Sequence, residues 1–166
     1  MFREIKPENL DKTSFEMIGK DWMLITAGDE KGLNTMTASW GAMGVLWNKN
    51  VLIAFVRPSR YTFDFLMKNE KFSCTFYKEE YRKALTLCGT KSGRDTDKVK
   101  ECNFTPDFSE DAPFFDEADT VIICQKLYVQ PMKSEFALTD EVKKNYNDDS
   151  EYHYVFVAEI EKVLKK

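Results

Sequence analysis

Six consecutive residues, Arg57-Pro58-Ser59-Arg60-Tyr61-Thr62, bring together two guanidinium groups and three hydroxyls. Fixed donors and positive charge in so small a volume suit a phosphate, and a helix starting here would add its free N–H groups and positive dipole end. The flanking residues support that placement. Val51 to Val56 is an unbroken apolar run, the composition of a strand buried on both faces. Pro58 ends the ladder, Ser59 stands where an N-cap belongs, and Phe63, Leu66 and Met67 recur at helical spacing. The same six residues also suit a solvated turn with Ser59 as a plain cap. No glycine-rich Walker or dinucleotide fingerprint accompanies them.

Other candidate groups lie further along. Ser92, Gly93, Arg94 and Lys98 follow a Gly89–Gly93 loop, and Arg94 and Lys98 are four residues apart. A helix beginning near Asp95 would aim both cations at one anion; an exposed loop capped by Asp95 is the competing reading. His153 is the only histidine, so it has no partners for a metal site, and a half-buried strand histidine is as good a reading as a ligand contact. Cys74, Cys88, Cys102 and Cys124 are widely spaced without a CxxC, so no metal is expected. Cys74 and Cys124 fall in apolar runs and read as small core residues, in keeping with a reduced, cytoplasmic protein.

The elements that must position these groups read as mostly strands. Trp22–Ala27, Thr35–Ala42, 51–56, Phe72–Phe76, Thr120–Val129 and Glu151–Val163 are the strand candidates, the last with Tyr152, Tyr154 and Phe156 on one face. Helical spacing marks residues 60–68, 79–88 and 95–102, and 139–150 reads as a solvated helix or loop. Thr35–Ala42 is rich in small side chains, which leave room for something flat against the backbone; a bend at Gly41 is the plainer account. Residues 1–12 are polar and expected to be loosely ordered. Six strands with few helices predict one mainly β domain over 1–166, an antiparallel barrel.

Bulk properties narrow the function. Net charge is −4, with basic residues interspersed among acids, which argues against a nucleic-acid partner. No run of 18 apolar residues occurs, so no membrane span is expected, and the charged opening MFREIKPENL lacks the apolar stretch of a secretion signal.

Three segments together resemble the flavin reductase and flavoredoxin family, the FMN-binding split barrels: Asn34-Thr35-Met36-Thr37-Ala38-Ser39-Trp40-Gly41; the 57–62 turn; and Cys88-Gly89 followed by Ser92-Gly93-Arg94-Asp95-Thr96-Asp97-Lys98. The likeness runs from Asp21 to about Ile160. It implies a six-stranded antiparallel split β-barrel that forms a homodimer and holds FMN near the interface. The backbone of Thr35 to Trp40 would face the isoalloxazine ring, with Ser39 and Trp40 at its rim and Asn34 leading in. Arg57, Ser59, Arg60, Tyr61 and Thr62 would hold the phosphate and ribityl chain, and Ser92, Gly93, Arg94 and Lys98 would close the other side. His153 would sit near the flavin, against nicotinamide or substrate. The implied chemistry is hydride transfer from NAD(P)H to flavin. The alternatives are a flavoredoxin-type carrier passing electrons to a redox partner protein, or a barrel that binds some other ligand without catalysis. The chain departs from its relatives at Leu46-Trp47-Asn48-Lys49-Asn50, where many carry a Pro-Pro pair, and at Ala158, where they often have Gly.

Overall fold

A computed structural model describes all residues, 1–166. Ten strands occur in chain order: β1 (Arg3–Ile5), β2 (Met23–Asp29), β3 (Gly32–Ala38), β4 (Gly41–Leu46), β5 (Lys49–Val56), β6 (Lys71–Phe76), β7 (Pro106–Asp107), β8 (Phe114–Phe115), β9 (Thr120–Pro131) and β10 (Tyr154–Lys165). Four helices interleave: α1 (Tyr61–Lys68), α2 (Arg82–Thr90), α3 (Lys98–Glu101) and α4 (Asp140–Lys143). The main sheet is antiparallel and runs β3-β2-β6-β9-β10-β5-β4, with β1 added on β10. β7 and β8 pair apart from it.

The order of that sheet decides its shape. β3 and β4 are its two ends, yet only Ser39 and Trp40 separate them in the chain. A flat sheet of seven strands would hold its ends about 29 Å apart at the usual strand spacing. Ala38 to Gly41 spans at most about 11 Å of extended chain. The sheet must therefore curl on itself, and no ladder joins β3 to β4, so the barrel stays open along Ser39–Trp40. The strand count is seven in the curl plus β1, rather than the six expected.

Alternation along the strands divides the core. Met23, Ile25 and Ala27 of β2 face the barrel interior with Met36, Leu52, Phe72 and Phe156. Leu24, between them, faces outward into a second cluster with Leu85, Cys88, Phe104, Phe115 and Val121, where α2 and residues 102–118 cover the barrel. On β5, Leu52, Ala54 and Val56 point inward while Ile53 and Phe55 are only half-buried. The apolar run is thus an alternating strand and not one buried on both faces.

Several local expectations are corrected. Residues 1–12 are not loose throughout, since Arg3, Glu4 and Ile5 pair with Lys165, Leu164 and Val163. Residues 15–20 suit a short turn or an edge strand by sequence, and Phe15–Asp21 forms a π-helical turn. The strand expected over Thr35–Ala42 breaks after Ala38. The turn into β5 is a two-residue hairpin in which Trp47 and Asn48 both take positive φ, 54° and 57°, the geometry that matches strand twist.

Candidate functional site

The slit at Ser39–Trp40 is where predicted residues converge. Met36, Thr37, Ala38, Ser39 and Trp40 line a cavity of about 200 Å³ together with Phe55, Arg57, Arg60 and His153. β3 brings the slim backbone, β5 delivers Phe55 and Arg57 at its end, and β10 is paired with β5 so that His153 arrives just before Tyr154↔Val56. Trp40 is 49% exposed and lies against His153, ring centroids 5.2 Å apart.

Arg60 begins α1 in an unexpected way. It occupies the N-cap position in extended conformation, with no side-chain cap, so Ser59 is not the N-cap. The Ser59 carbonyl instead accepts from Arg94 at 3.2 Å. The Arg60 guanidinium reaches the Cys88 carbonyl of α2 at 3.3 Å, and Lys98 Nζ donates to that same carbonyl, also at 3.3 Å. α2 is held here because its Thr37-facing side is flush against β3: a Cβ on Gly89 would sit 3.3 Å from Thr37 Cβ, and the Thr37 hydroxyl donates to the Leu85 carbonyl.

The four predicted cations are not alike. Arg57 pairs with Glu151 at 3.4 Å, donates to the Asn145 carbonyl at 2.9 Å and lies over the Tyr146 ring. Arg94 pairs with Asp64 at 2.9 Å and lies over the Tyr61 ring. Arg60 and Lys98 have no carboxylate within 4 Å, although Lys98 is only 4% exposed. Burial holds both below their ordinary pKa, Lys98 additionally through the neighbouring Arg60 charge. A desolvated cation with only a carbonyl for company is costly, by several kcal/mol before compensation. Two of them sharing one oxygen form a site that an anion would relieve.

The third predicted segment lies elsewhere. Asn34, Thr35, Tyr61, Gly93, Arg94 and Lys98 border a separate polar cleft of about 950 Å³. The expected helix near Asp95 begins only at Lys98, capped by Asp97, which accepts from the Lys100 N–H. Arg94 therefore lies outside it and is tied to Asp64, so the two cations border one cleft without sharing the helix face that the four-residue spacing suggested. Thr62 is fully buried and accepts from the Asn34 side chain at 2.7 Å, while the Thr35 and Thr26 hydroxyls bond each other at 2.8 Å. These four polar side chains brace the barrel. Gly93 is required by that brace, because a Cβ there would meet Asn34 Oδ1 at 2.0 Å. Ser59 and Ser92 border neither cavity; the Ser92 hydroxyl accepts from the Arg94 N–H.

His153 is buried, with its Nδ1 2.8 Å from the Tyr146 hydroxyl. Tyr146 stacks on Tyr152 at 3.9 Å. Burial, helped by the Arg57 charge, lowers the His153 pKa to about 4, so the ring is neutral at pH 7. Tyr146 and Phe55 were not anticipated. The one signal for Tyr146 was an aromatic ring set in the otherwise polar 139–150 stretch.

Donor chemistry and shape fit a phosphorylated flavin. Arg60 and Lys98 would take the phosphate, and the Thr37–Trp40 backbone leaves space for a flat ring system. Such a cofactor, when bound, supplies two-electron redox chemistry. Comparison with known proteins agrees on the class. A flavoredoxin from Methanosarcina acetivorans superimposes with a TM-score of 0.70 at 23% identity, covering 88% of this chain and 68% of that one. An FMN-binding domain of a flavin reductase-like enzyme from Shewanella baltica gives 0.70 at 14% identity, covering 99% and 77%. An NADH:FAD oxidoreductase from Streptomyces globisporus, in complex with NAD and FAD fragments, gives 0.64 at 14% identity, covering 88% and 74%. No curated protein matches. The fold is that of the split-barrel flavoproteins. Residues 17–165 match the family model described as flavin reductase like domain, and the chain belongs to that family.

Proposed function

We propose that this protein binds FMN and passes hydride from NAD(P)H to the flavin. The observation that carries the reading is the acid-free pair of half-buried Arg60 and buried Lys98 on one carbonyl, with Arg60 lining the cavity that Thr37–Trp40 also line and Lys98 lining the neighbouring cleft. In this reading Arg60 and Lys98 hold the phosphate. Arg57, held by Glu151, shapes the ring cavity, and His153 and Trp40 border the approach of the nicotinamide. Tyr61, Gly93 and Arg94 line the neighbouring cleft as its outer wall. The chain's part is to orient the rings and exclude water; no acid–base dyad is needed for hydride transfer.

An electron carrier is the second reading, favoured by flavoredoxins among the similar structures and by the solvent exposure of Trp40 at the cavity mouth. A homodimer is part of either reading: Val45, Leu46, Trp47 and Tyr128 form an exposed apolar face, with Val45 73% and Trp47 55% exposed, which a second copy would cover. Four free thiols fit a reducing, cytoplasmic compartment.

The test is the absorbance spectrum after adding FMN, followed by anaerobic NADH or NADPH. Flavin bands that bleach at a catalytic rate support the reductase. Bands that bleach only through a partner protein support the carrier. A protein that ignores FMN refutes both and leaves a barrel with another ligand.

A further inference from the structure

A second cavity, of about 570 Å³, opens on the outer side of Trp40 and shares Ser39, Trp40, Phe55 and His153 with the smaller one. Its remaining wall comes from the Phe15–Asp21 turn, the start of β4 and Met132 after β9; Phe15, Ile18, Met43 and Met132 are its apolar surface. No Lys, Arg, Asp or Glu lines it. An anion entering would lose hydration with no counter-charge, whereas a flat apolar molecule gains burial and aromatic contact.

One polar group gives the cavity a direction. A phenol donates hydrogen bonds better than it accepts them, and an imidazole nitrogen accepts well. Tyr146 O–H therefore donates to His153 Nδ1 across their 2.8 Å contact, and the neutral ring keeps its proton on Nε2. Among side chains no buried nitrogen is left unpaired, so Nε2–H is open to solvent through the cavity. An occupant that displaces that water must supply an acceptor, which makes a pure hydrocarbon a poor occupant and a carbonyl compound a good one.

We propose that this cavity binds a flat, uncharged quinone, with a carbonyl oxygen accepting from His153 Nε2–H. As the electron acceptor of the site, the quinone rests on the flavin reading above; as a binding site, it stands on its own lining. Tyr146 is then a positioning residue, which fixes the tautomer that the carbonyl needs.

Because His153 is the only histidine, its imidazole gives a single set of ring nitrogen signals in the ¹⁵N-labelled full chain. Titration with duroquinone, whose ring positions are all blocked against thiol addition, is followed on those signals and by tryptophan fluorescence. The expected result is an Nε2–H tautomer whose resonance shifts saturably with duroquinone. 2,4,6-Trimethylbenzoate, an anion of similar size, should bind at least ten-fold more weakly. Y146F should mix the tautomers and weaken duroquinone binding several-fold, and M132K should narrow or reverse the preference against the benzoate. An Nδ1–H tautomer, equal binding of the anion, or saturation by duroquinone without movement of the histidine signal each overturns the proposal. FMN uptake is measured on the same sample: duroquinone binding without FMN binding removes the flavin reading and leaves the cavity assignment standing.

Discussion

Replacing Lys98 by Met separates a ligand-binding cation from a structural one, because the two roles predict opposite signs for stability. Lys98 is 4% exposed and its ammonium meets one carbonyl and no carboxylate. Its burial costs several kcal/mol. The charged hydrogen bond to the Cys88 carbonyl returns about 1.5–3 kcal/mol. Met keeps most of the volume and carries no charge, so the net relief in flavin-free protein is about 1–2 kcal/mol. For a chain of this length that corresponds to a rise in Tm of roughly 2–8 °C. The same change removes a charge-assisted contact to phosphate, and FMN affinity should fall roughly 10- to 150-fold. Differential scanning calorimetry of the flavin-free protein and FMN titration by flavin fluorescence quenching read the two effects separately. A lower Tm with unchanged FMN affinity would show that Lys98 exists to pin the Cys88 carbonyl, and the argument from uncompensated charge would fail.

Four further outcomes are expected. R60A should weaken FMN binding by about 1.5–3 kcal/mol in the same titration, and an affinity like the parent's would move the phosphate elsewhere. His153 has a folded pKa of about 4 against an unfolded 6.5, so the unfolded chain binds the proton first as pH falls. Stability should then be flat above about pH 6.5 and decline toward pH 4, by at most about 3 kcal/mol more than in H153L, measured by urea denaturation at each pH. G93A should lose about 2 kcal/mol or more of stability, because its Cβ needs the space of Asn34 Oδ1 and Asn34 braces Thr62; a thermal melt matching the parent's would contradict that geometry. W47D should shift sedimentation toward the monomer if the Val45–Trp47 face is the contact between copies, and an unchanged sedimentation coefficient would place that contact elsewhere.

What the chain revealed by itself was local. Apolar runs marked β2, β5, β6 and β9 within a few positions, alternation marked β10, and the spacing of Phe63 and Leu66 marked α1. Arg57–Thr62 read as a candidate anion site, and of its two arginines Arg60 lies in the acid-free pair. Sequence spacing could not tell a free cation from a paired one. Arg94 and Lys98 looked equivalent, yet Asp64, 30 residues from Arg94, neutralises one and nothing neutralises the other. Nor could spacing show that Val51–Val56 has one half-open face, which depends on what covers Ile53 and Phe55. Tyr146 acquired a role only because the chain folds back over His153. Those decisions belong to the curl of the sheet: two residues between its end strands force it to bend round to an open slit at Ser39–Trp40, and side chains from β3 and from the ends of β5, α1 and β10 then meet where no stretch of sequence placed them together.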